Sequence, residues 1–93
     1  MTALDDLARN YRAAFLRYLA RREEAPLHAG YKLGRSAVAD GLSILELAEV
    51  HHDILLEVLR DTTSADMTRV ATAASEFFLE VLATYEMAQQ RRG

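Results

Sequence analysis

The chain has 93 residues, 51% apolar and 27% charged, with no cysteine and a net charge of −3. That composition excludes a disordered chain, a disulfide framework and a thiolate zinc site. No apolar run nears the roughly 18 residues of a membrane span, and the acidic opening MTALDDLARN is unlike a secretory signal, so a cytoplasmic location is expected. One domain is expected over residues 1–93. A domain this small buries only about 60–70% of the surface its unfolded chain exposes, and pairing with a second copy is an ordinary remedy. The charge is uneven: residues 1–35 hold seven basic and four acidic groups, and residues 36–93 hold four and ten. Two solvated faces account for this, as does charge-complementary docking with a partner or a second copy.

The apolar period predicts four helices and no strand. The first covers about Ala3 to Arg22, with Thr2 and Asp5 at capping-box spacing. Its main face carries Leu4, Leu7, Ala8, Tyr11, Phe15, Tyr18 and Leu19, and a weaker stripe runs through Ala13, Leu16 and Ala20. The second covers about Ala25 to Asp40, with Pro26 in the first turn, where its missing N–H loses nothing. Gly41 then stands where a left-handed residue ends a helix. The third covers Ile44 to Arg60 behind Ser43 and Glu46, a second capping box. It is apolar over most of its girth and leaves one polar stripe of Glu46, Glu49, Asp53, Glu57 and Arg60, so contact from two sides is expected. The fourth covers about Asp66 to Gln90, with Thr63 or Ser64 as N-cap and a seam from Met67 through Phe77, Phe78, Val81 and Tyr85 to Ala88. It is longer than the bundle needs and is expected to run on into a further segment. Short connections predict antiparallel neighbours, hence an all-α four-helix antiparallel bundle, paired as a homodimer.

The residues offer little chemistry. Glu49 and His52 form one Glu-x-x-His pair, but a di-iron bundle needs two, and no H-E-x-x-H motif occurs. Neither a metal nor a cofactor is expected. Adjacent on a helix, His51 and His52 point about 100° apart and cannot share one substrate atom. His51 reads first as a boundary imidazole held by a hydrogen bond. No strand–turn–helix elbow presents a serine, so no enzyme is expected. The acidic third helix argues against nucleic acid.

Gly30 and Gly34 remain, at a cost of roughly 1 kcal/mol each against alanine. Spaced by four, they admit a bulky neighbour along one side of the second helix. That neighbour is either another helix of the same chain or, across an intermolecular groove, a second molecule. In the second case Gly34→Leu would abolish dimer or partner affinity. Tyr31 beside them can seat its ring and keep its hydroxyl free.

The segments FLRYL, YKLGRSAVADGLSILELAEVHHDIL and EFFLEVLATYEMAQQ resemble the N-terminal domain of RsbU-type serine phosphatases, grouped with the helical domain of the clock protein KaiA. The resemblance covers about Tyr11 to Gln90. It is most specific at Tyr31-x-Leu33-Gly34-Arg35, Gly41-Leu42-Ser43-x-Leu45, His51 and Glu86-Met87-Ala88. It implies a homodimeric bundle that docks a switch kinase of the RsbT kind and so turns on an attached phosphatase, which releases a sigma factor under stress. These 93 residues hold no phosphatase domain onto which its metal-binding aspartates could be carried over, so only the regulatory role is expected of them. The candidate partner-binding or dimer residues are Gly30, Tyr31, Gly34, Arg35, His51, His52, Leu55 and Tyr85. The alternative is a free-standing bundle that binds a small molecule.

Overall fold

The structure, a computed structural model, describes residues 2–22 and 24–92, the side chain of Arg92 excepted. Four helices follow in order: α1 (Ala3–Ala20), α2 (Glu24–Ala39), α3 (Ile44–Arg60) and α4 (Met67–Arg92), the last entered through a 3-10 turn at Ser64–Asp66. The described residues form an all-α bundle without strands. The expected continuation past Gly93 lies outside the described residues.

Local chemistry sets the helix starts. Thr2 accepts from the Asp5 N–H while the Asp5 carboxylate accepts from the Thr2 N–H. Ser43 and Glu46 repeat the exchange at α3. Each box satisfies two N–H groups that the helix itself leaves free. At the end of α2, Gly41 adopts φ +74°. Its N–H donates to the Val38 carbonyl and that of Leu42 to the Ala37 carbonyl. This paired 5→2 and 6→1 pattern needs a residue at ease in the left-handed region. Leu42, just past the glycine, is buried in the core.

Phe77 is the hub of that core. It is fully buried and meets Tyr11 edge-on at 5.3 Å, with Phe15 and Tyr18 each at 5.8 Å. Such pairs contribute about 0.5–1.5 kcal/mol each beyond the area they bury. The hydroxyls at the core edge have partners: Tyr18 donates to Glu76, and Tyr85 donates to the Leu42 carbonyl at 2.8 Å.

The closest packing is between α2 and α4, which run in the same sense. A Cβ placed on Gly30 would touch Val81 and Phe77 at 3.3–3.4 Å. One on Gly34 would stand 2.0 Å from the Thr84 hydroxyl oxygen, 2.5 Å from the Val81 carbonyl oxygen and 2.8 Å from the Tyr85 nitrogen. Of the two neighbours that the glycine spacing allows, the internal one occupies this side of α2. The groove expected there for a second molecule is filled by α4, so Gly34→Leu would break the bundle and report nothing about docking. The expectation of close antiparallel neighbours needs a second adjustment. α2 and α3, though joined by only four residues, hardly touch, because α2 is drawn onto α4 instead.

Gly34→Ala should destabilise the fold by about 2 kcal/mol net, because two of its three collisions are with backbone that cannot swing aside. Thermal unfolding followed by circular dichroism should show a midpoint lower by roughly 10 °C. Gly30→Ala, which meets only side chains, should stay within about 1 kcal/mol of the parent.

Candidate protein-docking surfaces

The eight candidate residues separate into three settings. Gly30, Gly34 and Tyr85 are buried, the glycines under α4 and Tyr85 against the α2 cap. Thr84, beneath Gly34, donates its hydroxyl to carbonyls of its own helix, at Glu80 and Val81. It therefore needs no polar partner from α2.

His51 is half-buried and joins three helices. Its ring stacks on Phe78 of α4 at 3.9 Å, and its Nδ1 lies 2.7 Å from the Tyr11 hydroxyl of α1. That hydroxyl sits in a fully buried residue, where burial pushes its pKa far up. Its hydrogen needs an acceptor, so the O–H donates to Nδ1 and the imidazole keeps its proton on Nε2. Burial, with the neighbouring His52 as a second cause, lowers the His51 pKa. The expected hydrogen-bonded boundary imidazole is thus what the structure contains.

The remaining candidates reach the surface. Tyr31 is half-buried and Arg35 exposed. The His28 ring stacks on Tyr31 at 5.3 Å, and the Arg35 guanidinium lies 5.7 Å from the same ring. This ladder borders a small hollow that α4 completes with Thr84, Met87, Ala88 and Arg91. On α3, His52 is exposed and Leu55 half-buried.

Residues outside the candidate set link these positions. Leu79 is 62% exposed and Leu45 65%, with Ile44, Leu56 and Met87 also exposed. Leu79, Ala83 and Met87 recur every four residues and so form one outward line on α4. At one end Met87 lines the same hollow as Tyr31 and Arg35. On its other flank lies α3, whose Leu45, His52 and Leu56 share a face by the same periodicity. The helical pattern hid Leu79, because it lies off the Phe77–Val81–Tyr85 seam. A leucine among Ser75, Ala83 and Glu86 on the polar side was the available signal. By contrast Met67, expected in the seam, is exposed.

A family model described as Phosphoserine phosphatase RsbU, N-terminal domain, matches residues 9–88. The chain belongs to this family. No curated protein and no solved structure matches it. An RsbU N-terminal domain is a regulatory domain of a stress-response phosphatase, distinct from the catalytic one, and these 93 residues comprise the regulatory kind. Among the described residues, no cluster of three metal-ligating side chains occurs and no helix is long and apolar enough to cross a membrane.

The depressed His51 pKa makes a signed prediction. Above the ordinary imidazole value of about 6.5 the ring is neutral in both folded and unfolded chains, and its contribution to stability is complete. Below it the unfolded chain takes up a proton that the folded one resists, so stability falls as pH drops towards the folded pKa. The unfolding midpoint should decline between pH 7 and pH 5, and His51→Gln should flatten that decline. The depressed Glu76 carboxylate, held down by the Tyr18 hydroxyl and Arg22, acts only at lower pH.

Proposed function

We propose that this domain is a homodimeric docking module that receives a switch kinase of the RsbT kind and passes the event to an attached effector through α4. The observation that carries the reading is the line of Leu79, Ala83 and Met87. It leaves large apolar side chains in water on the helix that runs furthest, 26 residues, through the fold. Exposed leucines and methionines grouped on one face, rather than scattered, mark an interaction site. His52 and Leu55 on α3 border one side of this surface and Tyr31 and Arg35 of α2 the other.

The mechanism is a population shift. A partner seated on α4 and its neighbours favours whichever dimer arrangement presents that face best. A difference of 1–3 kcal/mol, usual for such coupling, changes the balance about 5- to 150-fold. α4 transmits this because its inner side is clamped to α2, so the helix moves as a rigid element.

The test is a binding titration of the purified domain with a switch kinase of the RsbT kind from the same cell. The wild type should bind. Leu79→Asp combined with Met87→Asp should retain its helicity and lose at least tenfold in affinity. A wild type that does not bind, or a double variant that binds equally well, contradicts the proposal.

A further inference from the structure

The face opposite α4 has a different chemistry. Along the seam between α1 and α2 run two adjoining hollows of about 300 and 370 Å³ that share Arg17. Arg17, Arg21 and Lys32 rim them, among the described residues no carboxylate lines them, and the floor is made of small side chains such as Ala13, Ala29 and Ser36. Among the described residues none of these three cations has an ion-pair partner.

On the other flank of α1 lies the acidic stripe of α3. The Arg12 guanidinium donates to Glu57 at 2.6 Å, which fixes that stripe beside α1. Glu49 and Asp53, on the same outward side of α3, are exposed and form no ion pair among the described residues. Between the two ridges the outward side of α1 presents Ala13, Leu16 and Ala20, all exposed.

A cationic seam and an anionic ridge on either side of one helix make a self-complementary surface, as a closed twofold contact requires. We propose that this face binds a second copy of the chain, with the Glu49–Asp53 ridge of each copy on the Arg17–Lys32 seam of the other. The inference rests on the dimer reading above and adds which surface makes the dimer. Charge also selects the symmetry. A dyad parallel to α1 sets cation against anion on both flanks, whereas one across α1 sets like against like. With the dyad along α1 the two α1 helices run side by side in the same sense, with Leu16 against its own copy. Both α4 helices then end on the same side of the dimer, and the α4 faces remain open at the outer surfaces.

Sedimentation velocity of the full chain provides the test. The samples are wild type, Arg17→Glu/Lys32→Glu, Glu49→Lys/Asp53→Lys, and an equimolar mixture of the two variants. The wild type should dimerise, more weakly as salt rises. Each variant alone, like-charged on both flanks, should dimerise at least tenfold more weakly, and the mixture should recover a dimer because both contacts are again opposite in sign. Variants that pair as well as wild type, or a mixture that does not recover, overturn the proposal and leave the dimer reading standing. A monomeric wild type overturns both. Because the chain has no cysteine, Leu16→Cys gives a second measurement that does not depend on the charge variants. Mild oxidation should link it into a covalent dimer, and failure to link while the chain is dimeric contradicts the proposed dyad.

Discussion

The absence of a side chain at Gly34 is the constraint on which the other contacts depend. It lets α2 lie against the backbone of α4, with Thr84, Val81 and Tyr85 in the space a Cβ would need. Once the two helices meet there, Tyr85 reaches the Leu42 carbonyl at the α2 cap. α3, joined to that cap, is turned away from α2 and packs on α1 and α4 instead. The helical cost of a glycine, roughly 1 kcal/mol, is offset by a close apolar crossing that no larger residue permits.

This arrangement explains why the molecule presents two unlike faces. α4 spends its inner side on α2 and the aromatic hub, so Leu79, Ala83 and Met87 point outward. α1 is flanked by α2 and α3, and neither covers its outer side, which lies between a basic seam and an acidic ridge. An apolar face suits a partner whose binding is driven by burial. A charged, self-complementary face suits recognition between copies, because charge sets register and orientation more than raw affinity. Membership of the RsbU N-terminal family, a regulatory domain, is in keeping with the proposed division, in which one face takes a second copy and the other a partner.

Much of the fold was legible in the sequence. The bounds of α3 were readable to the residue because Ser43 and Glu46 mark its start and Arg60 its end. Gly41 was readable as a left-handed cap. The α4 start was blurred by a turn of 3-10 helix, and its end ran two residues beyond the expected Gln90 to Arg92. The candidate site was less legible. Helical periodicity says which residues share a face but not which neighbour covers it. Gly34 and Tyr85 therefore had the signature of an interface and proved to be internal. Leu79 was missed for the converse reason: it belongs to no buried period, and its importance appears only when α3 and α2 are seen to leave it uncovered. The Tyr11–His51 bond joins residues 40 positions apart and had no local signal.

Native-state amide hydrogen exchange tests the central claim most directly. If the Gly34 crossing is the keystone, the amides of Leu33–Val38 and Val81–Tyr85 should exchange only through global unfolding, and those of α3 through smaller openings. Exchange at the crossing as fast as in α3, under conditions where α1 stays protected, would contradict it.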